Sequence, residues 1–167
     1  MGNLPSFAHK RKTYSHANTK KTVNVVYGSP CSGKTTYVRE HAGDDDIIVD
    51  ADALYAAISN HDPHRMNHAQ YSIASNELRE AMHDVIRYRK GKWKTAWVIA
   101  CCPTQKDRDK LKERIRADRF ILIDTDEKTC IERGKERGEG WEKVIHNWFR
   151  RYYGDHKKTD QFRGTKL

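Results

Sequence analysis

The stretch that most constrains this chain is Gly28–Thr35, GSPCSGKT, which fits the pattern GxxxxGK[ST]. Val23, Val25 and Val26 immediately before it read as a buried strand. The residues after it, through Val38, read as a helix that stops near Gly43. Strand, glycine-bounded loop and helix start are the context a phosphate-binding loop needs. Gly28 and Gly33 let the backbone bend closely around a polyphosphate, so that successive amide N–H groups and the helix N-terminus point at the anion. Ser29, Pro30, Cys31 and Ser32 span the loop, and Thr36 opens the helix with Lys34 and Thr35. Lys34 is expected at the β/γ-phosphates, and the Thr35 hydroxyl as a ligand of Mg²⁺. Cys31, beside a helix N-terminus and Lys34, is the candidate for a reactive thiol.

At 167 residues the chain is long enough for one domain with a proper core. No apolar run approaches the ~20 residues of a membrane span and no signal-peptide pattern opens it, so the expectation is a soluble, cytoplasmic protein without membrane contact. The four cysteines, Cys31, Cys101, Cys102 and Cys130, lack zinc spacing and are expected reduced. The net charge of +9 attracts polyanions, nucleic acid or nucleotides among them. It concentrates at the ends, which divides the chain into a basic, flexible arm (1–21), a folded domain (22–154) and a basic, flexible tail (155–167).

Along the folded part, Ile47–Ile48–Val49 is a β-branched strand, and it ends at Asp50–Ala51–Asp52. In an open parallel sheet both carboxylates then face the same crevice as the phosphate loop. A short helix over Ala53–Ser59 is followed by a polar loop, Asn60–Asn67, with His61, Asp62, His64, Arg65 and neighbouring His68. Its histidines lack metal-site spacing and read as substrate-loop or surface groups. Ala69 to Lys90 is an amphipathic helix whose apolar positions are core contacts. Thr95–Ala100 is a third strand, and Thr104 caps the helix after it. A common layout places a Mg²⁺-ordering Asp at that strand end, where this chain has Ala100 and Cys101. Phe120–Ile123 is a fourth strand. The helix after it carries Arg133 and Arg137 on one face, broken early by Gly134, Gly138 and Gly140, and reads as a lid whose arginines reach a transferring phosphate. Trp141 to Tyr153 places an aromatic stripe on one face, expected to dock on the sheet.

Strands alternating with helices behind a phosphate loop predict an α/β protein: a P-loop NTPase fold with a parallel sheet of four to five strands, helices on both faces and a short arginine-bearing lid. From Val23 to Tyr153 the chain resembles small P-loop kinases, above all the 5′-polynucleotide kinase type of phages and repair enzymes. The shared pieces are GSPCSGKT (28–35), VDAD (49–52) and CIERGKERG (130–138) with the aromatic helix behind it. The resemblance implies that Lys34 and Thr35 hold ATP·Mg²⁺, that Asp52 is the general base on an acceptor hydroxyl, and that Arg133 or Arg137 is the lid arginine. It also implies a host cytoplasm if the chain is phage-encoded. Asp50 is the alternative base or a Mg²⁺ partner. Tyr55 stands where that family has the arginine that binds an acceptor phosphate, a departure that argues against a phosphorylated polynucleotide acceptor.

Three functions fit these residues. One is an ATP-dependent kinase of a nucleic-acid, nucleotide or nucleoside hydroxyl. The second is a nucleic-acid-binding ATPase or accessory module without an acceptor. The third is a kinase of an unrelated small molecule.

Overall fold

The computed structural model describes residues 20–59 and 69–163. All but the last two residues of the basic arm, and the His61–His68 loop, lie outside these.

β1 (Thr22–Tyr27) forms from a run of valines that alternate between two buried faces. Val23 and Val25 join one cluster and Val26 the other, and all three are fully buried. β2 (Ile47–Asp50), β3 (Thr95–Ala100) and β4 (Arg119–Leu122) pair with it in the order β2-β3-β1-β4. Every pairing is parallel; Val98 stands level with Val25 on one side and Val49 on the other. The expectation of a small parallel sheet holds, with four strands.

Topology then decides which face each helix covers. The step from β1 to β2 runs one way along the sheet, and the steps β2 to β3 and β3 to β4 run the other. Right-handed crossovers therefore put α1 (Lys34–His41) on one face, and α3 (Ala69–Arg87) and α4 (Gln105–Ile115) on the opposite one. The packing agrees. Val38 of α1 meets Val26 and Trp97, whereas Ile86 of α3 and Ile115 of α4 pack with Val23, Val25, Val49 and Val98. Helices cover both faces as expected.

α3 and α4 both leave the carboxyl end of the sheet and descend side by side. At their far ends the last carbonyls of α4 would be orphaned. Arg87 Nη1 donates to Glu113 O and Arg114 O, and Arg89 donates to Ile115 O and Arg116 O. Nearer the cleft, Arg114 bridges Glu80 at 2.9 Å and Asp84 at 2.7 Å.

Two elements differ from expectation. α5 (Glu127–Lys135) runs through Gly134 without a break. A Cβ on Gly134 would lie 2.9 Å from Ile145 Cδ1 and 3.5 Å from Trp141 Cβ, so this glycine permits close helix packing. Only Gly138 and Gly140, both at positive φ, act as the turn. α6 (Trp141–Arg163) continues ten residues past Tyr153, through the segment read as the start of the tail. Its stripe docks on the phosphate loop and α5, not on the sheet face: Ile145, Trp148 and Phe149 bury against Cys31 and Cys130. Trp148 Nε1 also donates to Cys101 O at 2.7 Å, tying α6 to the end of β3. Among the described residues no helix is long and apolar enough to cross a membrane.

Candidate active site

Gly28–Thr35 leaves the carboxyl end of β1 and turns tightly into α1. The backbone at Gly28 has φ 156°, and a Cβ there would sit 2.8 Å from the Ile123 carbonyl oxygen and 2.9 Å from Ser32 Oγ. Because the first of these is backbone, it cannot step aside. Gly28→Ala is therefore expected to cost about 1–3 kcal/mol as overpacking, lowering the melting temperature by roughly 2–10 °C. An unchanged thermal melt would show that the loop relaxes freely. Gly33 stands at the start of α1 in the left-handed region, φ 101°, where only glycine is unstrained. Neither a side-chain cap nor an acidic residue occupies the first turn of α1, so its amide N–H groups are left for an outside anion.

Lys34 is buried, and its Nζ donates to the loop's own carbonyls, 2.6 Å from Ser29 O and 3.1 Å from Gly28 O. Arg133, on α5, also donates to the loop, at 3.3 Å to both Cys31 O and Ser32 O. Thr125, a residue the sequence reading passed over between two aspartates, donates its hydroxyl to Ser32 O at 2.8 Å. Arg137 lies one turn further along, with its guanidinium over the Trp141 ring at 5.1 Å.

At the end of β2, Asp50 is the N-cap of α2 (Ala51–Ile58): its Oδ1 accepts from the Asp52 N–H at 3.1 Å. Its other oxygen, Oδ2, accepts from Thr35 Oγ1 at 3.3 Å. This carboxylate thus stands beside the loop threonine, on the strand next to the one that ends in Ala100 and Cys101. Asp52 is exposed at the first turn of α2. Tyr55 of α2 is buried and is not among the residues that line the cleft.

A cleft of about 1420 Å³ joins these groups. Pro30, Cys31, Ser32, Gly33, Lys34, Thr35 and Thr36 form its floor, with Asp50 and Asp52 on one side and Arg133 and Arg137 on another. Gly28 and Ser29 lie buried behind that floor. A third side was missed by sequence reading: Arg79, Glu80 and His83 of α3, and Asp107, Lys110 and Arg114 of α4. The helical periodicity of α3 marks its apolar face, and nothing in the spacing of its polar residues says which of them turn toward the cleft.

Cys31 departs from expectation. It is only 8% exposed, and burial pushes its thiol up, against the pull of the Arg137, Lys34 and Arg133 charges. The thiolate is disfavoured here. Cys101, exposed at the end of β3, is the accessible thiol. With iodoacetamide near neutral pH, peptide mass spectrometry is expected to find Cys101 modified first and Cys31 protected. Faster labelling of Cys31 would mean that the loop opens readily. Among the described residues no three His, Cys, Asp or Glu side chains converge as a metal site.

Sheet order, loop and cleft define a P-loop nucleotide-binding domain. The family model described as an AAA domain, AAA_33, matches residues 23–151, and the chain belongs to that family. A search of curated proteins gives no match. Among solved structures, a chain of the Pnkp1/Rnl/Hen1 RNA repair complex superposes with a TM-score of 0.65 at 18% identity, over 89% of this chain and 49% of that one. This chain therefore spans about half the length of that relative. A gluconokinase from Sinorhizobium meliloti 1021 is also similar, with a TM-score of 0.47 at 18% identity, covering 80% of this chain and 75% of that one.

Proposed function

We propose that this chain is an ATP-dependent phosphotransferase that moves the γ-phosphate of ATP to a hydroxyl of a nucleic acid, nucleotide or nucleoside. The observation that carries the reading is the carboxylate pair at the end of β2 in the same cleft as the phosphate loop, with Asp50 Oδ2 at 3.3 Å from Thr35 Oγ1. A hydrolase needs only a positioned water; a cleft of this size, with a second carboxylate exposed inside it, suits an acceptor as well as a nucleotide.

The residues present fit ATP with Mg²⁺. Among the described residues no carboxylate pairs with the uncapped amide groups of α1 or the Lys34 ammonium, and Thr35 and Asp50 offer oxygens for a hard cation. When bound, ATP·Mg²⁺ supplies the phosphoryl group and neutralises part of its charge. Lys34 exchanges the Ser29 and Gly28 carbonyls for phosphate oxygens. Asp52 orients the acceptor hydroxyl and takes its proton. Arg133, with Arg137 behind it, stabilises the charge that spreads over the transferring group.

A second reading, a nucleic-acid-binding ATPase without an acceptor, draws on the net charge of +9. The deciding experiment is transfer from γ-labelled ATP with Mg²⁺ to 5′-hydroxyl DNA, 5′-hydroxyl RNA, nucleosides and nucleoside monophosphates. Label on one acceptor class is the expected result. Label released only as inorganic phosphate, with salt-sensitive binding of DNA or RNA, would replace the kinase reading by the second.

A further inference from the structure

The wall of the cleft formed by α3 and α4 carries charges for which the phosphotransfer chemistry above has no use. α3 and α4 descend from the same end of the sheet, and the Arg114 bridge to Glu80 and Asp84 fixes their register. Beside this bridge, Arg79, next to Glu80 on α3, and Lys110, one turn before Arg114 on α4, both line the cleft. The carboxylates of this wall are already committed. Glu80 Oε2 takes Arg114 at 2.9 Å, and Oε1 faces the buried His83 ring at 3.5 Å. Asp107 accepts from Arg151 at 2.8 Å and closes the capping box with the Thr104 N–H at 3.3 Å. Arg79 has only a long contact to Glu80, Nε to Oε1 at 4.0 Å, and Lys110 has no ion pair among the described residues. Of the wall's cations, Lys110 is thus unpaired among the described residues, and Arg79 shares Glu80 with Arg114.

We propose that Arg79 and Lys110 form an acceptor subsite, and that the molecule receiving the phosphoryl group is itself an anion whose phosphate or carboxylate these two side chains hold. The loop accounts for the triphosphate at the other side of the cleft, so the anion served here is a different one. The assignment also answers the departure at Tyr55. That side chain is buried on α2, and the recognition of acceptor charge moves to the facing helices. Arg79 offers a planar fork and Lys110 a flexible point charge, a pair that suits an oxyanion over a neutral sugar or base.

The proposal rests on the kinase reading only for the purpose of the bound anion, and equilibrium binding separates the two. Isothermal titration of the full chain, loaded with a non-hydrolysable ATP analogue and Mg²⁺, uses thymidine 3′-monophosphate against thymidine and glucuronate against glucose. In one of the two pairs the anionic probe is expected to bind at least tenfold more tightly than its neutral partner; which pair responds tells phosphate from carboxylate. Arg79→Ala with Lys110→Ala is expected to erase that preference, leaving affinity for the ATP analogue within about twofold. If neither anion is preferred, or if the double variant keeps the preference, the subsite is wrong. If the preference and its loss are seen while no labelled phosphate reaches any acceptor, the subsite stands and the kinase reading falls.

Discussion

Lys34→Ala is expected to lower transfer of labelled phosphate by at least ~10³-fold at saturating Mg²⁺, because it removes the one ammonium buried in the loop at the place where charge develops. The structure makes this a test of chemistry more than of folding. Lys34 Nζ makes two hydrogen bonds, to Ser29 O and Gly28 O, and no carboxylate depends on it. Truncation leaves the carbonyls of the buried residues Gly28 and Ser29 without this donor, so the stability loss should be that of an unsatisfied buried acceptor, about 1–3 kcal/mol. A thermal melt lowered by no more than about 10 °C, together with lost transfer, is the expected pair of results. Turnover near the parent value would remove the phosphate loop from the mechanism. A collapsed melt would instead show that the lysine holds the loop together, and Lys34→Arg would then be the informative variant, since it keeps the charge and the donors.

How much of this was legible before the structure follows from what each signal measures. The valine run of β1 and the glycine pattern behind it are local and near-deterministic, so the loop and the strand preceding it could be read directly. The β2 strand end was legible for the same reason: the β-branched run Ile47–Val49 reads as strand, and the carboxylates after it face the crevice, although β2 is an edge strand in which Val49 is buried and Ile48 is exposed. Tertiary partners were not legible. Gly134 looks like a helix breaker in isolation, and only the approach of Ile145 and Trp141 shows why a glycine sits inside α5. Cys31 reads as activated because a helix N-terminus and Lys34 lie close to it in sequence; the aromatic stripe of α6 that buries it arrives from more than a hundred residues away. Arg79 and Lys110 fall among many basic residues on amphipathic helices, and their shared position depends on the parallel descent of α3 and α4, which no local pattern encodes.

The Mg²⁺-ordering acid missing from the end of β3 has a related explanation. Asp50 ends the neighbouring strand and already accepts from Thr35, so one carboxylate both caps α2 and stands where the proposed reading puts the cation. With Asp50 so placed, Asp52, exposed at the first turn of α2, is the carboxylate proposed to meet a second substrate.

That division of labour makes opposite demands on two neighbouring substitutions. Asp52→Asn keeps the volume and removes the base, so ATP affinity is expected to stay within about twofold while transfer falls by ~10²–10⁴-fold. The remaining activity should lose the rise with pH that deprotonation of a general base produces. Asp50→Asn keeps a competent N-cap, since asparagine caps as well as aspartate, and its amide oxygen can still accept from the Asp52 N–H. What it loses is the negative charge beside Thr35. Its defect is expected in the Mg²⁺ concentration needed for half-maximal rate, with a smaller effect once Mg²⁺ is saturating. The comparison is made as transfer rate against Mg²⁺ and against pH for both variants. Should Asp50→Asn abolish the pH dependence while Asp52→Asn shifts only the Mg²⁺ requirement, the two roles are reversed, and the acceptor hydroxyl lies closer to the phosphate loop than the exposed position of Asp52 implies.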